Sequence, residues 1–275
     1  MKAASREALQ QLYASIDETS SQSDNAVAVD SQTGLEIFEV VEAIEGDRPL
    51  RVALADNAAT SEQRTALVDD VFAKHLSASA LAVLKKAAGL TWSNPRDLRT
   101  GLISAARRII LRGAESKNEL ERVEQELFTL SRVLDREGEL SMLLSDRRVE
   151  ASQRRSLLAG LLKDKNVTMF SEALALQAVG RIDKDPASDV AAVVEQVAAL
   201  RGCKVARVVS AGDLSDEHTA ALADKLRTIY DHRMSIHNEV DPSLLGGVRI
   251  HVGNEVIDGS TKAKLERMRS AFAAR

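Results

Sequence analysis

Cysteine and aromatic residues are scarce in this chain and net positive charge is absent, and each of these excludes something. A single cysteine, Cys203, rules out an internal disulfide and reads as a small buried residue. Aromatics make up only 3% of the 275 residues, too few for a sheet core built on large rings. The abundance of Ala and Leu favours helices instead. A formal net charge of −4 argues against nucleic acid as a partner, because a basic face is its usual footprint. No apolar run approaches the ~18–20 residues of a membrane span, and Met1–Gln10 is too polar for a signal peptide. These absences predict a protein kept in the cytoplasm that reaches a membrane only through partners. No Ser or Cys stands in a G-x-S-x-G or comparable nucleophile context, so no catalytic residue and no cofactor is expected.

What is present is an ordinary globular balance, 44% apolar and 28% charged, in a length that holds two or three small domains. The most informative stretch lies near the C-terminus. Met234, Ile236 and Val240 alternate with Ser235, His237 and Glu239, and Val248, Ile250 and Val252 alternate with Arg249 and His251. Period-two alternation predicts strands with one buried and one wet face, read here as an antiparallel pair joined through Asp241-Pro242 and Gly246-Gly247. Both glycines can take the positive φ that such a connection needs. Gly253-Asn254 predicts a two-residue hairpin loop to Glu255–Ile257. Asp258-Gly259 ends that strand, Ser260 caps a last helix, and Leu265, Met268 and Phe272 form its inward stripe.

The run Val-Asp-Pro-Ser-Leu-Leu-Gly-Gly-Val at 240–248, then Val252-Gly253, Ile257-Asp258-Gly259-Ser260 and Leu265, resembles the C-terminal signature of the delta subunits of F-type ATP synthases. The mitochondrial relative is the oligomycin sensitivity-conferring protein. The resemblance extends less sharply back to about Ala105. It implies a non-catalytic stator subunit that ties the alpha subunits of the catalytic head to a b-type peripheral stalk and resists the torque of the rotor. It also implies a peripheral position at the cytoplasmic face of the plasma membrane, held there by the complex. The alternative is an unrelated helical adaptor, and a third class, an enzyme using His237 and His251, would require a bound metal.

Upstream of this stretch the chain is helical, and it repeats. Sliding by 90 positions pairs Phe38 with Phe128, Leu50 with Leu140, Leu54 with Leu144, Asp56 with Asp146, Gln63 with Gln153, Arg64 with Arg154 and Leu67 with Leu157. One inserted residue later, Gly89 pairs with Gly180 and Pro95 with Pro186. This is a degenerate tandem repeat of a helical module. Thr60 and Gln63 predict a capping box that the second copy, with Glu150, lacks. Asp17–Gly34, rich in Ser, Asp, Thr and Gln, reads as a long connection. The fold expected is mainly α with a small α+β C-terminal domain: an extra helical module over 1–100, a second over 101–182, and a linker helix with a small sheet packed with helices over 183–275. Typical delta subunits hold one helical module, so residues 1–100 depart from the family pattern.

Family resemblance further implies a groove between the first and fifth helices of a module that accepts an amphipathic N-terminal segment of an alpha subunit. Mapped by order, the first module supplies Leu9, Leu12 and Tyr13 with Leu81 and Leu84. The second supplies Ala106, Ile109 and Ile110 with Phe170 and Leu174. Two other patterns point to weaker chemistry. Asp258-Gly259-Ser260-Thr261-Lys262 lacks the spacing of a phosphate-binding loop and reads as a strand-to-helix turn. His237 and His251, on the outward parity of what read as neighbouring strands, lack a third ligand at fixed spacing and make no zinc site.

Overall fold

A computed structural model describes residues 1–20 and 26–273, without the side chains of residues 20, 26–30 and 271–273. Eleven helices come first: α1 (Ala3–Ser20), α2 (Ala26–Gly46), α3 (Arg48–Leu54), α4 (Ser61–Phe72), α5 (Ala78–Gly89), α6 (Pro95–Ser116), α7 (Leu120–Arg136), α8 (Gly138–Ser145), α9 (Ala151–Leu162), α10 (Met169–Gly180) and α11 (Pro186–Leu200). They are followed by β1 (Cys203–Ser210), α12 (Asp216–Tyr230), β2 (Arg233–Val240), β3 (Val248–Val252), β4 (Glu255–Asp258) and α13 (Thr261–Ala273). The mainly helical chain with a small α+β end is the fold class expected.

The connection read over Asp17–Gly34 is largely helix: α1 runs on to Ser20, α2 already starts at Ala26, and residues 21–25 lie outside the described residues. Polar composition misleads there because α2 is held by an apolar stripe further on, with Ile37, Phe38, Val40, Val41 and Ile44 all buried.

The repeat is visible in three dimensions. In the first copy α2 packs on α6 and α4 on α5; in the second, α7 packs on α11 and α9 on α10. Matched polar devices fix both copies. Arg64 donates to the carbonyls of Ala88 (2.7 Å), Gly89 (3.2 Å) and Leu90 (3.3 Å), closing the C-terminus of α5. Its counterpart Arg154 donates to Gly180 (3.1 Å), closing α10. Each helix end leaves carbonyls without intrahelical partners, and a buried guanidinium satisfies them. Ser77 caps α5 while its N–H donates to Glu36 (2.8 Å); ninety-one residues on, Thr168 caps α10 while its N–H donates to Glu126 (2.9 Å). The capping box of Thr60 and Gln63 is present in full, and Glu150 makes no side-chain cap. The copies are not separate bodies: α6 touches α1, α2, α3 and α5 of the first and α7, α10 and α11 of the second. One apolar cluster runs from Ala8 through α11 to Val205.

The sheet has strand order β2-β1-β3-β4, with β1 and β2 parallel and the other two pairs antiparallel. The expected direct pairing of the strands at 233–240 and 248–252 is therefore corrected. The α12 crossover returns β2 parallel to β1, and the 241–247 connection carries the chain over to the far edge of β1. Ala206, Val208, Ile250, Val252 and Leu226 of α12 pack together on one face. The inward stripe expected on α13 is also corrected, since Leu265 is 48% and Met268 58% exposed, and the Phe272 side chain lies outside the described residues.

Candidate functional site

The C-terminal signature residues form one compact turn cluster. Asp241 accepts from the Ser243 N–H (2.9 Å), turning the chain just after Pro242. Gly246 and Gly247 then stand at φ +138° and +78°. A Cβ on Gly247 would collide with the Gly259 carbonyl oxygen and lie 3.0 Å from the Ser260 Cα. Two backbones therefore touch where only glycine fits. Thr261 N–H donates to Gly246 (2.9 Å), and Gly259 N–H to Val248 (2.9 Å). Ser260 caps α13 through the Ala263 N–H (3.2 Å). Bonds from the Ser260 hydroxyl and N–H hold the Asp258 carboxyl down at about 2, with Arg249 assisting. Gly253, at φ +56°, makes the two-residue hairpin loop. Nothing in this cluster resembles a phosphate cradle; its job is to fold β3, β4 and the start of α13 onto each other.

The second face of the sheet, read as wet, is partly covered: α11 packs on β1, and α7 lies against His237 and Glu239 of β2. His237 is 4% exposed, stacks on Phe128 at 4.3 Å between ring centroids, and meets Glu124 Oε1 through Nε2 (2.8 Å) and Gln125 Oε1 through Nδ1 (3.0 Å). Glu124 is fully buried and also accepts from Arg201, just past the end of α11. Burial pushes the Glu124 carboxyl up, but hydrogen bonds from His237, Ser235 and Arg201 outweigh it and leave the group below the usual carboxylate range. Beside this clasp Glu239 faces Arg136 (2.8 Å), Arg132 (3.2 Å) and Arg207 (3.6 Å). His237 and His251 are not strand neighbours, since both register with Arg207 from opposite sides of β1. Among the described residues no group of three or more His, Cys, Asp or Glu is placed to hold a metal. Sequence reasoning missed Glu124 as the partner of His237, because nothing local links residues 113 positions apart.

The ten groove positions fall into two groups. In the second copy Ala106, Ile109, Ile110, Phe170 and Leu174 are all at most 2% exposed and belong to the common core. Helix α2 lies over this face of α6, close enough that a Cβ on Gly34 would be 2.5 Å from Ile110 Cγ1. In the first copy Leu12 and Leu84 are buried, whereas Leu9, Tyr13 and Leu81 are partly exposed. A recess of about 320 Å³ opens between α1 and the end of α5, lined by Ala4, Glu7, Ala8, Gln11, Gly89, Leu90 and Thr91. Asp17 holds α1 on α6 through Arg108 Nη2 (2.5 Å) and Arg112 Nε (2.8 Å). Partial burial alone would raise the Asp17 carboxyl; the two arginines bring it down to about 2.

The family model described as ATP synthase delta (OSCP) subunit matches residues 110–272. The chain is similar to ATP synthase subunit delta of Corynebacterium efficiens, 54% identical over 99% of each chain. It is also 54% identical to subunit delta of Corynebacterium aurimucosum, over 99% of this chain and 100% of that one. Corynebacterium diphtheriae subunit delta is 52% identical over the same shares. These relatives align through residues 1–100 as well. A chain in a cryo-EM structure of the Toxoplasma gondii mitochondrial ATP synthase hexamer matches 62% of this chain and 96% of its own, at 18% identity and a TM-score of 0.35, too loose a superposition to carry an argument.

Proposed function

This chain belongs to the delta (OSCP) family of ATP synthase subunits, and from that premise we propose how its two ends are used. It is a non-catalytic subunit of the peripheral stalk of F-type ATP synthase, and its partners lie within that complex. Among its described residues no helix is long and apolar enough to cross a membrane.

The N-terminal end takes the N-terminal segment of one alpha subunit, along α1 and α5 where Leu9, Tyr13 and Leu81 are partly exposed. The observation that carries this is the difference between the copies: Leu9, Tyr13 and Leu81 are partly open, while the five matching positions are buried in the common core. The C-terminal end takes the b-type stalk helix. In its support, α13 leaves Leu265 and Met268 uncovered, and Leu245 is 80% exposed beside the turn cluster. A helix docks on such a face with apolar anchors at i, i+3 and i+4 spacing. The chain then sits at the cytoplasmic face of the plasma membrane, held by the complex.

Titration of the full chain with a peptide of the alpha N-terminus tests the first contact. One site per chain is expected, weakened at least tenfold in Leu9→Glu and Leu81→Glu variants whose circular dichroism is unchanged. Two equivalent sites, or undiminished binding in both variants, overturns the assignment.

A further inference from the structure

We propose that the recess at the junction of the two helical copies binds a phosphate-bearing anion, gripped by Arg107, Arg96 and Arg99. One cavity of about 420 Å³ opens between α2, α6, α10 and α11, and a second of about 470 Å³ adjoins it, sharing Arg96 and Arg99. Together they are lined by six arginines, Arg48, Arg51, Arg96, Arg99, Arg107 and Arg181, against three carboxylates, Glu45, Asp183 and Asp189. That positive surplus stands out in a chain of net charge −4. Arg96, Arg99 and Arg107 stand at i, i+3 and i+11 of α6, on the face of that helix that lines the recess.

Most of these charges already have work inside the fold. Arg99 pairs with Glu45, and Arg181 lies between Glu42 (3.2 Å) and Glu45 (3.5 Å). Arg51 donates to the carbonyls of Ile44 and Glu45 at the end of α2 (3.2 Å each). Asp189 accepts from the N–H groups of Asp183 (2.7 Å) and Lys184 (3.3 Å). Arg107 has no such arrangement: its Nε is buried with no hydrogen-bond partner. Burial pushes its guanidinium down and Arg181 repels it, while Asp189 and Tyr13 attract it. A buried guanidinium nitrogen without a hydrogen-bond partner is costly. The molecule carries one at the floor of an open recess.

The choice of ligand follows from the donors. Every cation in the lining is arginine, whose planar fork grips an oxyanion through two parallel N–H groups. The Gln177 side-chain oxygen accepts from Arg181 (2.7 Å), which leaves its amide nitrogen to donate. The one aromatic ring in the lining, Phe38, is 1% exposed and lies under Arg181 at 5.6 Å, so no open ring face is offered to a nucleobase. The phosphate is therefore what is recognised, and whether it arrives as inorganic phosphate, pyrophosphate or the tail of a nucleotide is decided by titration.

Isothermal titration of the full chain at fixed ionic strength, with phosphate, pyrophosphate, ATP and a hexaglutamate peptide in separate runs, tests this. Pyrophosphate is expected to bind once per chain, with ATP no tighter, which marks the phosphates as the whole of the ligand. Tighter binding of ATP that is lost with Arg107 assigns the nucleotide as the source of the same phosphate. Arg107→Met should weaken pyrophosphate at least tenfold, and Arg96→Ala should weaken it as a second, independent substitution. Wild-type protein should melt higher with pyrophosphate, and the Arg107→Met protein should melt no lower than wild type without it and gain nothing from it. No pyrophosphate binding, binding that survives both substitutions, a fall in melting temperature of Arg107→Met in anion-free buffer, or hexaglutamate binding tighter than pyrophosphate would each overturn the site.

Discussion

Gly247 and Gly253 take positive φ for different physical reasons, and substitution separates them. Gly253, at φ +56°, has open space where a Cβ would go, so Gly253→Ala pays only for the left-handed backbone, about 1 kcal/mol. Gly247, at φ +78°, is also pressed against the Gly259–Ser260 backbone. Gly247→Ala must strain its backbone and push two chain segments apart, which costs about 3 kcal/mol. Urea unfolding of both variants measures the difference; equal losses would mean that the close approach contributes nothing. The glycine pair was legible in the sequence because positive φ is a local demand. Which backbone it pressed against was not, because residues 247 and 259 meet only once the sheet is assembled.

Helix ends show how far the two copies have diverged. Arg64 makes five bonds to main-chain carbonyls, the remaining two to Asp56 (3.0 Å) and Ala59 (2.7 Å). Arg154 makes one, and its Nε and Nη1 are buried without a partner. Arg64→Met should therefore cost about 3 kcal/mol, by orphaning the last carbonyls of α5, and Arg154→Met about 1 kcal/mol. Matched denaturation curves read the asymmetry; a larger loss at Arg154 would contradict it. The helical character and the cap at Thr60 were legible because they rest on spacing within one or two turns, and the repeat because identical residues recur 90 positions apart. The start of α2 was not, since a polar stretch is helical there only because the stripe from Ile37 to Ile44 finds α6 to pack on. The sheet order escaped for the same reason: the alternation of β2 and β3 fixes their faces but names no neighbour. His237 had the parity of a wet residue, and the helix that covers it is encoded more than a hundred residues earlier.

For the molecule as a whole, the clasp between α7 and the sheet sets an acid limit. Glu124 is held below its ordinary 4.5, so the stability it contributes is present above about that pH and is lost as pH falls through the depressed value. Glu195, raised by burial and by the nearby charge of Glu124, acts oppositely: its contribution is present at low pH and fades as pH rises through its elevated value. Hydrogen exchange at β2 should accelerate on acidification before exchange at α2 does, and Glu124→Gln should abolish that early step. Simultaneous loss at both places would show that the clasp does not separate from the core. Helix α6 matters at this scale too. Its 22 residues span about 33 Å, and both copies are built around it. A duplicated domain usually gains a joint between its copies; this one has a common spine instead. A cut at residue 100 severs that spine, so neither fragment inherits a complete bundle. Under load, the described residues offer no swivel between the two copies in which twist could be spent. The helical part yields only by bending one continuous rod, which makes it a stiff spring of fixed length.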